Sequence, residues 1–306
     1  MTIAAVDIGG TKIAVGMVDE NGRVLHKTTS PTNTDDYAGG LKTVAAMLRQ
    51  TAQDAAVEIS GIGIGSTGPV NPFTGEFGDV DFLPGWRHKN PVEDLNRLFR
   101  VKVALENDGD AAALAEAAWG IGQNKSRLIY VTVGTGIGGG VVLDGKLYRG
   151  VDGAHPEVGH HVVDASGPPC TCGFHGCWES LAAGPAMVAW FAGKVPADYP
   201  DRDRLSGKHI CELAVQGDKL ARQAVDREAR YLGLGLANLI NLFTPDAIVL
   251  SGSVMKSADL LLPGIRKTIS EGCRFVPAEK TELMLASLGE DTNLIGAARV
   301  WYYRFA

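Results

Sequence analysis

Residues 3–18 read I-A-A-V-D-I-G-G-T-K-I-A-V-G-M-V. The apolar run from Ile3 to Asp7 predicts a buried strand, and Ile13 to Val18 predicts a second. Asn21-Gly22 then marks a hairpin turn into a third strand, Val24 to Thr28. Between the first two strands lies Asp7-Ile8-Gly9-Gly10-Thr11-Lys12. A glycine turn in that position exposes backbone N–H groups that can cradle phosphate oxygens. Lys12 adds a positive charge, and Asp7 can hold Mg²⁺ through water. A tight hairpin with a capping Asp accounts for the same residues when they are taken alone. The second copy of the pattern shifts that balance. Leu128 to Val133 is strand-like, Gly134-Thr135-Gly136-Ile137-Gly138-Gly139-Gly140 is the richest glycine turn of the chain, and Val141 to Leu143 leads to Asp144-Gly145. Strand, glycine turn, strand, Asn/Asp-Gly turn, strand thus occurs twice. Two copies of one hairpin predict two similar domains facing each other across a cleft.

Between the copies, Tyr37 to Ala52 has helical spacing, with Leu41, Val44, Ala45 and Leu48 on one face. Ile59 to Gly65 is strand-like and runs into Ser66-Thr67-Gly68-Pro69. Phe73 to Trp86 has no helical period and reads as a loop or short hairpin. Pro91 opens a helix through Leu98. Val101 to Leu105 predicts a strand, and Ala111 to Trp119 an Ala-rich helix. Asn107 and Asp108 therefore sit where a strand ends and a helix begins. Ligands of open α/β sheets collect at such strand ends, and the positive end of the helix favours a carboxylate there. An Asn/Asp helix cap suits the pair equally well.

Residues 157–179, E-V-G-H-H-V-V-D-A-S-G-P-P-C-T-C-G-F-H-G-C-W-E, gather His160, Cys170, Cys172 and Cys177. Three thiols and one imidazole match a closed tetrahedral zinc site, and four protein ligands leave no open position for catalytic water. Free buried cysteines and a surface histidine are the alternative. Glu157 and Glu179 bracket the ligands, so a metal that fixes the loop would also fix both carboxylates, as in a sugar clasp built on a structural metal.

The remainder of the chain alternates helix and strand. Leu181 to Ala192 is helical, Pro196 to Gly207 reads as a polar surface loop, and His209 to Phe243 as one or two helices broken near Gly217. Ala247 to Leu250 predicts a strand ending in Ser251-Gly252-Ser253, small residues that let a flat ring approach the backbone; this assigns Gly252 to an adenine side. Pro263 to Gly272, Leu283 to Ala286 and Asn293 to Tyr303 predict helix, strand and helix. At 306 residues the chain has room for two domains, here placed at 1–118, completed by 291–306, and at 119–290. A formal charge of −6 disfavours nucleic-acid and membrane surfaces as partners. No apolar run long enough to span a bilayer is present, and the N-terminus lacks a signal-peptide pattern. Three of five cysteines in one loop fit a metal in a reducing, cytoplasmic setting better than disulfides.

Five motifs in order, D-I-G-G-T-K at 7–12, E-N-D-G-D-A at 106–111, G-T-G-I-G-G-G at 134–140, E-V-G-H at 157–160 and C-T-C-G-F-H-G-C-W-E at 170–179, resemble the ROK family of bacterial sugar kinases and sugar-responsive repressors. The resemblance covers nearly the whole chain. It implies an α/β, actin-like ATPase (ribonuclease H-like) fold whose two domains close over a hexose and ATP, often as a homodimer. By similarity Asp108 is the general base and Asn107 a hydroxyl ligand. Glu157, His160 and Glu179 hold the sugar, with Gly68 as a backbone wall. His160, Cys170, Cys172 and Cys177 hold structural Zn²⁺. Asp7, Gly9, Gly10, Thr11, Lys12, Gly134, Thr135, Gly136 and Gly138 serve Mg²⁺ and the ATP phosphates. Two positions depart from the glucokinase pattern. Phe82 stands where many members carry the Asn of Asn-Leu-Pro-Gly-Trp, and His155-Pro156 precedes Glu157 as in the family's fructokinases, which lack this Cys-x-Cys arrangement.

The expected reaction is transfer of the γ-phosphoryl group of ATP to the 6-hydroxyl of a hexose, with Asp108 accepting the hydroxyl proton. Glucose is the expected substrate, ahead of N-acetylmannosamine or N-acetylglucosamine and then fructose or mannose. A repressor of the same family would carry a helix-turn-helix domain ahead of the Asp7 strand. That strand begins at Ile3 here, so a kinase is the expectation. A non-catalytic zinc-bearing sugar module would not need Asp108 or two phosphate turns.

Overall fold

The computed structural model describes residues 1–200 and 202–306. In chain order its elements are β1 (Ile3–Ile8), β2 (Lys12–Val18), β3 (Val24–Pro31), α1 (Tyr37–Asp54), β4 (Ile62–Ser66), β5 (Val70–Asn71), β6 (Glu76–Phe77), α2 (Pro91–Phe99), β7 (Val103–Asn107) and α3 (Asp108–Ala118). There follow β8 (Arg127–Val133), β9 (Ile137–Leu143), β10 (Lys146–Leu147), α4 (Trp178–Ala182), α5 (Gly184–Ala192), α6 (Gly207–Gln216), α7 (Lys219–Phe243), β11 (Ala247–Ser251), α8 (Ala258–Gly272), β12 (Glu282–Leu285) and α9 (Thr292–Phe305). Two five-stranded sheets have the orders β3-β2-β1-β4-β7 and β10-β9-β8-β11-β12. The orders are the same scheme, a three-strand antiparallel meander followed by two further strands, as the repeated glycine hairpin predicts. The chain divides into two compact units: 1–130, 140–156 and 286–306 form one, and 131–139 with 157–285 form the other.

In the first unit, β1 pairs antiparallel with β2 and parallel with β4, and β4 pairs parallel with β7. The period of two sorts the side chains between the two faces. Ala4, Val6 and Ile8 of β1 join Ile13, Val15 and Met17 of β2 in a core with Val44 and Leu48 of α1 and Leu95 of α2. Ile3 and Ala5 face the other way, with Ala14 and Val18, against Leu294, Ala297 and Trp301 of α9. Small residues set how closely α9 lies. A Cβ on Gly63 would stand 1.8 Å from the Ala297 carbonyl oxygen, and one on Gly16 would stand 2.6 Å from a Leu294 methyl. The Phe73–Trp86 stretch holds the turn and second strand of the short hairpin β5–β6, followed by a 3₁₀ turn at Pro84–Trp86. Trp86 is fully buried edge-on to Tyr37 and Phe77, and its indole N–H donates to the Asn33 carbonyl.

In the second unit, α7 is the central helix. Trp178 of α4 is buried against it where Gly235 leaves room, and the Trp178 indole N–H donates to the Tyr231 carbonyl. Gly233 and Gly264 give α7 and α8 their close approach. The break expected near Gly217 is present: this residue ends α6 with φ +100°, and Asp218 caps α7. Two boundaries differ from the sequence reading. Helix α8 starts at Ala258 rather than Pro263, because the buried stripe Ala258, Leu261, Ile265, Ile269 runs through the proline. The stretch 181–192 is two helices, broken at an extended Ala183. Asp201, within the polar loop expected over 196–207, lies outside the described residues. Among the described residues no helix is long and apolar enough to cross a membrane.

Candidate active site

Parallel pairing aligns three strand ends in the first unit. Ile8 lies beside Ser66, and Ser66 beside Asn107. The glycine turn after β1, the Gly68 loop after β4 and the Asn107–Asp108 junction after β7 therefore leave the same edge of one sheet, where α/β sheets bind ligands. The Ser66 hydroxyl donates to the Ile8 carbonyl at 3.0 Å, and the Thr67 N–H donates to the same oxygen at 3.2 Å. In the turn, the Gly9 N–H donates to the Lys12 carbonyl at 3.0 Å, and the Thr32 hydroxyl donates to the Gly9 carbonyl at 2.7 Å. A side chain on Gly10 would meet Phe82, which is itself 71% exposed. Phe82 is thus an uncovered aromatic standing over the turn. The sequence marks it only as a departure from the family pattern.

The cap reading of Asn107–Asp108 holds. Asn107 is the N-cap of α3: its side-chain oxygen accepts from the N–H groups of Gly109 at 2.8 Å and Asp110 at 3.4 Å. That leaves the Asn107 amide NH₂ turned toward the Gly68 loop, 3.1 Å from where a Gly68 Cβ would stand. Asp108 follows, with one carboxylate oxygen 2.8 Å from the Gly109 N–H. Helix α3 begins here, three residues ahead of the sequence reading, because the cap uses the N–H groups of Gly109 and Asp110. Burial and then the negative charge of Asp108 push the Asp7 carboxyl up to about 7, against the pull of Lys12. An acid whose proton affinity is raised by a neighbouring carboxylate, with Lys12 in partial offset, is a place that a divalent cation would relieve.

In the second unit the turn after β8 is backed by other backbone. The Gly134 N–H donates to the Gly136 carbonyl at 2.9 Å, and Gly184, released from helical pairing by the break at Ala183, donates its N–H to the Gly134 carbonyl at 2.8 Å. Thr135 lies in the turn, whereas Gly138 falls in β9, which begins at Ile137 inside the glycine run that the sequence reads as one turn to Gly140. Gly252 has φ +96°, and a Cβ there would stand 2.2 Å from the Val133 carbonyl oxygen, so the ends of β8 and β11 meet at glycine. Next to it Ser253 lines a cleft of about 620 Å³ with Lys208, Cys211, Lys256 and Ser257. No pattern in the sequence singled out these four residues, because they come from α6 and the turn after β11.

Glu179, in the first turn of α4, accepts from the Ile137 N–H at 2.8 Å, and a Cβ on Gly136 would stand 2.3 Å from the same oxygen. This ties the acid after the cysteines to the glycine turn, a link that spacing does not reveal. Glu157 lies at the head of the loop, its carbonyl accepting from the His160 N–H at 3.0 Å. His160, Cys170, Cys172 and Cys177 bring their ligand atoms within 4.8 Å of one another. The Cys170 sulfur is 3.4 Å from the His160 Nδ1, and the Cys172 sulfur 3.4 Å from that of Cys177. Tetrahedral zinc with ordinary bond lengths separates its ligand atoms by about 3.5–3.8 Å, so the four residues fit the ion. Burial and the neighbouring thiols raise the Cys177 thiol, a cost that a bound cation would offset.

The model of the ROK family matches residues 3–303. A glucokinase of Streptomyces coelicolor is 36% identical over 312 aligned positions, covering 96% of this chain and 95% of that protein. The solved ROK hexokinase of Thermus thermophilus has a TM-score of 0.84 at 34% identity, covering 99% of both chains. The ROK family glucokinase of Streptomyces griseus, solved with glucose and AMPPNP, has a TM-score of 0.81 at 34% identity, covering 97% of this chain and 98% of that one. With its two mixed five-stranded sheets and its full-length match, the chain belongs to the ROK family and has that family's two-domain α/β fold.

Proposed function

We propose that this chain is an ATP-dependent hexose kinase that phosphorylates the 6-hydroxyl, with glucose as its best substrate. The observation that carries the reading is Asp108, a carboxylate at a sheet edge beside a glycine turn and a second acid, Asp7. Phosphoryl transfer asks for a positioned nucleophile, a cation and backbone donors for the phosphates, and little covalent help. Asp108 accepts the 6-hydroxyl proton as that oxygen attacks the γ-phosphorus. Asn107, its oxygen committed to the helix cap, offers its NH₂ to a ring hydroxyl. Gly9, Gly10, Thr11 and Lys12, with Gly134, Thr135, Gly136 and Gly138, serve the phosphates, and the cleft beside Gly252 takes the adenosine. Asp7 would hold Mg²⁺, and the ion would supply positive charge to the phosphates. Glu157, His160 and Glu179 take the remaining sugar hydroxyls. His160, Cys170, Cys172 and Cys177 would hold a structural Zn²⁺ that keeps their loop in place.

The glucose-bound relative of Streptomyces griseus supports glucose. The test is a panel of kcat/KM values on glucose, mannose, fructose, N-acetylmannosamine and N-acetylglucosamine. Glucose should lead. An N-acetyl sugar preferred tenfold or more, about 1.4 kcal/mol of transition-state binding, would overturn the choice of substrate and leave the kinase reading standing.

A further inference from the structure

Behind the Asn107–Asp108 junction the first unit holds a buried cluster of charge that the reaction as described does not use. Glu106, the residue before Asn107, is 2% exposed, and Asp110, two residues past Asp108, is 0% exposed. Arg149 reaches them from the segment after β10. Its Nη2 donates to a Glu106 carboxylate oxygen, and its guanidinium lies 5.5 Å from the Tyr303 ring centroid and 5.8 Å from that of Phe73. Tyr303 in turn accepts from the Leu147 N–H at 3.1 Å. His155 acts on both carboxyls from the same segment, and the charge of Glu106 adds to burial in pushing the Asp110 carboxyl up to about 8. Neither Asp110 oxygen has a hydrogen-bond partner among the described residues. The backbone of Asp110 is pressed against β9: a Cβ on Gly140 would stand 2.8 Å from its Cα.

Two buried acids, one guanidinium and one imidazole, drawn from β7, α3 and residues 149–155, are an expensive way to hold a junction. An apolar core would hold it with less cost in desolvation. What charge adds is direction, because a buried ion pair tolerates one arrangement of its partners. We propose that Arg149, paired with Glu106 and completed by Asp110 and His155, is a positioning device for Asp108. It fixes the strand-to-helix junction from both sides of that residue. Half-buried His155 lies near enough for its charge to act on both acids, which places it with this device. The proposal rests on the kinase reading, in which Asp108 is the base.

The experiment compares Arg149→Met, Arg149→Lys and the charge-neutral double variant Glu106→Gln/Arg149→Met. Rates with glucose are normalised to folded protein by near-ultraviolet circular dichroism. Arg149→Met should lower kcat at least tenfold while the KM for ATP stays within twofold, because the transition state suffers and the nucleotide site does not. Arg149→Lys, which keeps the charge, should lie within threefold of the parent enzyme. Should Arg149→Met fail to fold, the double variant, with no unpaired buried charge, carries the comparison and should still show at least a tenfold loss of kcat. A folded Arg149→Met or double variant with kcat within twofold of the parent overturns the positioning role alone. A parent enzyme that releases no ADP in response to any hexose overturns the kinase reading together with it.

Discussion

Asp108 carries the most weight of any single residue. If it is the base, Asp108→Asn should lower kcat by about 10²–10⁴-fold, while glucose affinity, measured by titration calorimetry, stays within a few-fold. Near-parent turnover in that variant would send the search for a base elsewhere. Glu228 makes a second prediction, about stability. It is fully buried in α7 with neither carboxylate oxygen hydrogen-bonded among the described residues, and burial pushes it up to about 8 from an ordinary 4.5. Between those two values the folded chain retains a proton that the unfolded chain has lost. Stability therefore falls as pH rises across that window, with little effect below it. Glu228→Gln should remove this part of the slope, raising Tm at pH 8 and changing it little at pH 5. The loss in the parent is on the order of a few kcal/mol. Melting curves with the same pH dependence in parent and variant would show that Glu228 is ionised in the fold. At this scale the sequence displayed Asp108 as a carboxylate where a strand meets a helix. It held no sign of Glu228, because a lone Glu in a 25-residue helix reads as a solvated residue until packing is known.

Among the elements, the loop of His160 and the three cysteines and the glycine turn after β8 are joined through Glu179. Cys170→Ala and Cys177→Ala should each release the metal, lower Tm and weaken glucose binding together, since the loop leads directly into Glu179 and starts at Glu157. Carefully purified parent protein with no zinc by elemental analysis would contradict this. Gly136→Ala tests the joint from the other side. Its Cβ would stand 2.3 Å from the Glu179 oxygen that accepts from Ile137, so the carboxylate has to move. The variant should keep its zinc and raise the KM for glucose; unchanged KM values would sever Glu179 from the turn. The clustering of His160, Cys170, Cys172 and Cys177 was legible because three cysteines and a histidine so closely spaced in one loop can hardly lie far apart. The Glu179–Ile137 bond was not, because it joins residues 42 apart. Strand β4 shows the converse. Its G-I-G-I-G pattern reads as a strand, yet the reason for the glycines, the approach of α9 at Ala297 and Trp301, emerges only once the far end of the chain is seen beside it.

For the molecule as a whole, the repeated glycine hairpin foretold the two sheets of common order, since a hairpin of that kind fixes three strands by local turns alone. The strands that complete each sheet pair in parallel over long separations, such as β4 with β7, and their order was not legible in the residues. The proposed kinase activity belongs to this scale too, since no single residue or element carries it. The direct test is ADP release by the zinc-loaded parent protein with MgATP, measured with and without glucose, with the product identified by phosphorus NMR. A hexose kinase built as described should release ADP at least a hundredfold faster with glucose than without it, about 2.7 kcal/mol or more in the barrier, with one glucose 6-phosphate formed per ADP. ADP release unchanged by glucose and by every other hexose in the panel would contradict it.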